Sequence, residues 1–173
     1  MQKFFATLVF TFTFFQITSA QVQYEVSKDP QNGLKTLKGI LSLDLLKNDS
    51  AFAWMRNDIS WYKPNSAAVT NLKAVKDTVQ LIVVVGTWCE DSHIVFPQFL
   101  KLCTEAGFDF KRITIIGVDR KKTTLGSLCE ALGLTKAPTI VVLKAGKEIG
   151  RVEEFGTSGM YDKDLSEVLL KAK

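Results

Sequence analysis

The sequence predicts an α/β fold with a mixed central sheet flanked by helices, and three observations lead there. The continuous run Leu81-Ile82-Val83-Val84-Val85 reads as a strand buried on both faces rather than one. Helical patterns then alternate with short apolar strands to the C-terminus, and crossover helices make parallel neighbours. The turn Lys144-Ala145-Gly146-Lys147 joins two strands too closely for a crossover, so it adds an antiparallel pair.

The chain opens with MQKFFATLVFTFTFFQITSA, one Lys ahead of a Phe-rich apolar run that ends on the small residues Thr18-Ser19-Ala20. This is the pattern of a secretory signal peptide over residues 1–20, cleaved after Ala20. A transmembrane anchor fits less well, because Thr11, Thr13 and Gln16 interrupt a stretch that is short for a span. Residues 21–71 read as an N-terminal helical extension. Its first part, 21–38, is polar with Pro30 and Gly33 and reads as a poorly ordered lead-in. Leu34, Leu37, Leu41 and Leu45, then Phe52, Trp54 and Met55, recur at helical spacing with Asn48-Asp49-Ser50 breaking the run. Two short helices are predicted there, then a loop at Pro64-Asn65-Ser66 and a short helix over residues 71–76.

Residues 72–173 form the main domain. After the strand at 81–85 comes a helix over 91–106 stopped by Gly107, then a strand over 112–118 (RITIIGV). A helix over 124–132 stopped by Gly133 leads to a strand over 139–143. The hairpin turn gives a fourth strand through Glu154. A closing helix over 161–171 turns Leu165, Val168 and Leu169 inward. The order is β-α-β-α-β-β-α.

The formal net charge of +4 is spread along the chain, with only Arg120-Lys121-Lys122 standing out, which argues against a nucleic-acid partner. After leader cleavage no membrane attachment is expected, and no cysteine follows the cleavage point to carry a lipid. An exported chain meets an oxidising compartment where cysteines tend to pair. Cys89, Cys103 and Cys129 cannot all pair within one chain, so at least one is free, joined to another molecule, or reactive.

The stretch Gly86 to Pro97, GTWCEDSHIVFP, carries the chemistry. Trp88-Cys89-Glu90-Asp91-Ser92 follows the buried strand, Pro97 lies five residues after Ser92, Ala137-Pro138-Thr139 opens a later strand, and Gly156 follows the last one. In this register the residues over roughly 72–173 resemble the thioredoxin family, and are similar to exported thioredoxin-like proteins of bacterial envelopes. The resemblance implies a thioredoxin-like fold, a cis peptide at Pro138 facing Cys89, and an extended substrate pairing with the backbone of Ala137. It also implies that Trp88 shields one side of the sulfur. Two positions depart from the family: Ser92 stands where the second cysteine belongs, and Val83 where a buried acid assists proton transfer. Both remove parts needed for rapid dithiol turnover.

At the start of a helix, the Cys89 sulfur meets unpaired N–H groups and the positive end of the helix dipole, which favour the nucleophilic thiolate. Ser92, one turn on, places a hydroxyl within reach of it, whereas Glu90 and Asp91 oppose the thiolate by like charge and suit a helix N-terminus in any case. His93, the single histidine, lies four residues from Cys89 and is expected to tune the thiol. Cys89, Asp91 and His93 make a poor metal set without a second cysteine, so neither a metal nor another cofactor is expected. Cys103 lies fourteen residues beyond Cys89 on the same helix, about 21 Å away, and it and Cys129 read as packing residues.

Two readings of function follow. In one, Cys89 is a monothiol that handles mixed disulfides with protein or small-molecule thiols and disulfides, as an isomerase, a reductase or a deglutathionylating enzyme. In the other, the groove around Trp88, Cys89 and Pro138 docks an extended peptide without catalysis. A covalent dimer through Cys89 or an exposed Cys103 is a third, structural possibility. Export points to a bacterial periplasm or beyond it. Substrate, redox direction and oligomeric state are not written in the sequence.

Overall fold

A computed structural model describes residues 23–173; the expected signal peptide, residues 1–20, lies outside the described residues. In chain order the elements are β1 (Tyr24–Lys28), β2 (Lys35–Leu41), α1 (Leu43–Asn48), a 3-10 segment (Ser50–Arg56), α2 (Ser66–Val75), β3 (Val79–Val85), α3 (Glu90–Ala106), a 3-10 turn (Phe110–Arg112), β4 (Ile113–Gly117), α4 (Leu128–Ala131), β5 (Thr139–Lys144), β6 (Lys147–Glu153) and α5 (Tyr161–Leu170).

β3 is the central strand. Side chains alternate along a strand, so Leu81, Val83 and Val85 enter the larger core on one face while Val84 enters a smaller core on the other. Two covered faces require apolar residues at every position from Leu81 to Val85, whereas Gln80 near the strand start is exposed. β3 pairs in parallel with β4 and antiparallel with β5, and β5 pairs antiparallel with β6. The larger core is closed by the 3-10 segment, α2, α3 and α5, through Phe52, Leu72, Phe96, Phe99 and Leu165. The smaller core is covered mainly by Cys129 of α4 with Leu134 and Ala137. α3 stops at Gly107, whose φ of +64° provides the left-handed cap that a side chain would disfavour. Leu165, Val168 and Leu169 of α5 face inward as expected.

Residues 24–41 correct the sequence reading. The expected lead-in and first helix are a β-hairpin, β1 paired antiparallel with β2, and β2 pairs antiparallel with β4. The sheet therefore has six strands in the order β1-β2-β4-β3-β5-β6. The physical reason is that Leu37 and Leu41 are four residues apart, a spacing that satisfies both a helix and a strand, and the intervening inward position is Gly39. Within the expected helical extension, α1, the 3-10 segment and the first part of α2 are helical. Pro64 and Asn65 lie in the expected loop, and Asn65 caps a helix that already begins at Ser66. The Asn65 side chain accepts hydrogen bonds from the Ala67 and Ala68 N–H groups, so α2 begins at Ser66 and runs across residues 71–72. α4 is a single turn in place of the expected helix over 124–132, because Gly126 sits at φ +61° and Thr124 Oγ1 donates to the Gly117 carbonyl instead.

A polar knot ties the segment before α2 to α5. Tyr62 donates to Asp162 Oδ2 at 2.7 Å, the Asn65 N–H donates to the same oxygen at 2.8 Å, and the Tyr62 and Tyr161 hydroxyls lie 2.8 Å apart. Burial raises the Tyr62 phenol above its usual range, which keeps it a neutral donor. Tyr62→Phe leaves Asp162 and Tyr161 short of a partner and is expected to cost about 1–3 kcal/mol, read from the denaturant midpoint.

Candidate functional site

The loop that carries Cys89 is held at three points by groups remote in sequence. Within the loop, the Cys89 N–H donates to Gly86 O at 2.9 Å and the Gly86 N–H donates to Ser92 Oγ at 3.1 Å. Thr87 donates to Lys35 O and accepts from the Leu37 N–H, which fastens the loop to β2. The Asn32 side chain donates to Trp88 O at 3.1 Å. The Trp88 indole N–H donates to Val118 O at 2.8 Å, tying the loop to the end of β4.

Cys89 is the N-cap of α3, partly exposed, with no side-chain cap bond to the first-turn N–H groups, and Glu90 and Asp91 follow it in that turn. Its Sγ lies 3.5 Å from the Ala137 carbonyl oxygen, within hydrogen-bond range for a thiol. The Ala137–Pro138 peptide is cis, as the sequence resemblance implies. The Pro138 carbonyl accepts from the Glu154 N–H at 2.7 Å, so the cis loop is braced by the chain leaving β6. Two residues on, Gly156 at φ +78° lets the backbone pass close to Asp164, where a Cβ would collide with the carboxylate.

Other expected site residues are placed differently. Ser92 is fully buried and its hydroxyl accepts from Gly86; no hydrogen bond to the sulfur is present. The reason is local: β3 ends at Val85, so the Gly86 N–H lies past the strand and takes the serine hydroxyl as its acceptor. His93 also turns from the sulfur. Its ring stacks on Trp54, centroids 4.5 Å apart and planes 19° apart, and Nε2–H donates to Thr87 O at 2.9 Å. Burial lowers the His93 pKa despite the Thr87 carbonyl and Glu90 acting the other way, so the ring is neutral at neutral pH. Val83 is buried in the larger, apolar core.

Trp88 is 6% exposed, and its ring is covered by the Arg120 guanidinium at 4.5 Å and the Lys122 ammonium at 5.3 Å. It offers little free apolar surface. Arg120 is in turn held by Asp29, Nε to Oδ2 at 2.7 Å, and the other Asp29 oxygen accepts from the Gln31 and Asn32 N–H groups. Burial pushes the Asp29 carboxyl up, but the hydrogen bonds from Arg120, Asn32 and Gln31 outweigh it and hold the carboxyl below its usual range. A depressed folded-state pKa contributes stability above the unfolded value, and that contribution is lost as pH falls through the folded value. The unfolding midpoint is therefore expected to fall below pH of about 4, and Asp29→Asn should remove part of that fall while lowering stability at pH 7. A denaturation series from pH 7 to 2 on both proteins checks this.

Cys103 and Cys129 are free and buried, and burial raises both thiols above their usual range. Buried Cys103 cannot form the exposed intermolecular bridge weighed from the sequence. Among the described residues no three His, Cys, Asp or Glu side chains gather as a metal site, and no helix is long and apolar enough to cross a membrane.

The sequence reading missed Asp29, Asn32 and Arg120 as supports of the loop, and Trp54 as the partner of His93. The signal for the first two was present: Asp29-Pro30-Gln31-Asn32-Gly33 is turn chemistry between two strand-forming runs.

The β-α-β-α-β-β-α order, the strand order β4-β3-β5-β6, the cis Ala137–Pro138 peptide and Cys89 at the start of α3 define a thioredoxin-like fold. β1 and β2 add to it as a hairpin on the β4 edge. No protein-family model matches the chain, and no curated protein matches it. Among solved structures it is similar to a Pseudomonas aeruginosa protein of unknown function, at 18% identity and a TM-score of 0.49 over 76% of this chain and 88% of that one. It is also similar to thioredoxin O2 from Arabidopsis thaliana in its oxidised state, at 19% identity and a TM-score of 0.38 over 61% and 88% of the two chains. An HIV epitope scaffold is similar at 19% identity and a TM-score of 0.47 over 75% and 86%.

Proposed function

We propose that the protein is an exported thioredoxin-like monothiol protein that exchanges disulfides with protein or small-molecule thiols through Cys89. The observation that carries this reading is Cys89, a partly exposed residue at the N-terminus of α3 whose sulfur meets the Ala137 carbonyl of the cis-proline loop. The Cys89 thiolate attacks one sulfur of a substrate disulfide, a new S–S bond forms, and the other sulfur leaves as a thiolate. Ser92 has no sulfur to resolve the mixed disulfide. A second thiol, from the substrate itself or from a small external thiol, attacks it and regenerates the Cys89 thiolate. Attack by the substrate's own thiol gives isomerisation; attack by an external thiol leaves the first substrate reduced or deglutathionylated. The leader pattern at 1–20 supports export, to a periplasm or outside the cell, where protein disulfides are abundant.

The test incubates the folded protein with a peptide disulfide, quenches with acid and maps the adduct by mass spectrometry. The reading expects one peptide on Cys89, released by added thiol. A folded protein that stays unmodified at Cys89 would sink it. The binding-module reading would then stand, favoured by Val83 in an apolar core and by the commitment of Ser92 to Gly86.

A further inference from the structure

The sheet ends differently on its two sides. β6, at one edge, is interrupted by a register shift at Val142 and Leu143 and carries Lys147, Glu148, Arg151 and Glu153, features that keep an edge strand from pairing with another chain. β1, at the other edge, pairs with β2 in unbroken register from Tyr24 to Lys28, and Val26 at its centre is 57% exposed. The Ile40 N–H donates to Gln23 O and the Asp29 N–H donates to Leu34 O, each at 2.8 Å. Backbone groups alternate in direction along an antiparallel strand, so Gln23, Glu25, Ser27 and Asp29 turn theirs toward β2. Tyr24, Val26 and Lys28 turn theirs outward, and among the described residues no strand meets them.

We propose that β1 pairs with β1 of a second copy of this chain, antiparallel and centred on Val26, joining the two sheets into one. A two-fold axis through the shared edge makes the two strands antiparallel and presents the same surface from both copies. Centring on Val26 sets Val26 opposite Val26 and Tyr24 opposite Lys28, pairs whose outward groups exchange hydrogen bonds. The side chains suit that register. Valines meet at the axis, the Lys28 ammonium meets the Tyr24 ring, and Glu25 lies opposite Ser27. Sliding by two residues either way loses a pair within β1 and sets like charges opposite each other, Glu25 on Glu25 or Glu25 on Asp29. With the leader removed, only Gln21, Val22 and Gln23 precede β1, too few to turn back along it, which leaves the edge to another molecule. Asn32, at the turn end of the hairpin, bonds the Cys89 loop through Trp88 O. The partner strand runs the other way, so the two Cys89 loops lie toward opposite ends of the joined sheet and pairing covers neither thiol.

Sedimentation velocity of the exported protein, its N-terminus read by mass spectrometry, tests this from about 1 μM to about 1 mM, a span suited to a small interface. A thiol reductant is present throughout, which removes any bridge through Cys89. The weight-average mass is expected to rise from the monomer value toward twice that value. Val26→Pro removes an N–H that only the partner uses, so the pairing of β1 with β2 keeps its bonds while the mass stays at the monomer value. Val26→Lys, which sets two ammonium groups at the axis, should do the same. Ser27→Lys gives Glu25 an opposite charge across the edge in this register and should lower the dissociation constant about threefold or more. Denaturant midpoints close to that of the unaltered protein exclude lost folding as the cause. A monomer at every concentration would overturn the proposal. A dimer that survives both Val26 substitutions would also overturn it, since its interface must lie elsewhere, and weakening by Ser27→Lys would overturn the Val26 register.

Discussion

Cys89→Ser is expected to lower the rate of mixed-disulfide formation by about a thousandfold or more, because a hydroxyl cannot replace the thiolate as the nucleophile. The fold should hardly notice. The residue is partly exposed and its thiol hydrogen bond runs to the Ala137 carbonyl, which a serine hydroxyl can also donate to. The change in unfolding free energy should therefore stay within about 0.5 kcal/mol. Reaction with a chromogenic disulfide, followed by absorbance beside a denaturant melt, measures both quantities. The same variant separates catalysis from docking. If it retains its partners in a non-covalent pull-down with unchanged affinity, the groove binds them without the thiol, and exchange is not what holds them.

Ser92→Cys is expected to have the second large effect, converting second-order release of a bound thiol into first-order release. Position 92 lies three residues from Cys89, at the end of the first turn of α3. Three residues apart at a helix start brings the Cα atoms within the range that a disulfide spans. A mixed disulfide at Cys89 should then resolve without added thiol, leaving an oxidised protein. Two features slow that step. The introduced thiol replaces the acceptor of the Gly86 N–H, and Val83 supplies no base to take its proton. Resolution should therefore quicken as pH rises and more thiolate forms. Stopped-flow release of a chromogenic thiol from preformed adduct, at several concentrations of external thiol, checks it. Release that stays proportional to external thiol would mean that the two positions do not come within bonding distance.

Much of the main domain was legible because its signals are local. β3 had to be apolar throughout its Leu81–Val85 stretch to be buried on both faces, Gly107 and Gly146 marked turns at positive φ, and α5 displayed its inward face directly. The hairpin was not legible. β1 has four of its five residues exposed, so it lacks the alternation that a half-buried strand shows, and the spacing of Leu37 and Leu41 is shared by helix and strand. The site divides in the same way. Cys89 at a strand-to-helix junction and the Pro138 loop could be read from the residues, whereas the partners chosen by Ser92 and His93 could not. Each has a hydroxyl or ring nitrogen able to reach the sulfur. The loop geometry gave Gly86 to one and Thr87 to the other.

By itself, then, the sequence determined the strand and helix order after residue 78, the thiol at the head of α3 and the absence of a second sulfur one turn later. Periodicity, turn chemistry and residue identity act within a few residues, so they can be read in a single chain. Tertiary structure alone decided that Asn32 and Arg120 brace Trp88, that Trp54 takes the face of His93, and that the segment before α2 is tied to α5 through Tyr62 and Asp162. Those contacts join residues tens of positions apart. Their partners are selected by which surfaces meet when the hairpin and α2 close on the core, a choice that local propensity does not encode.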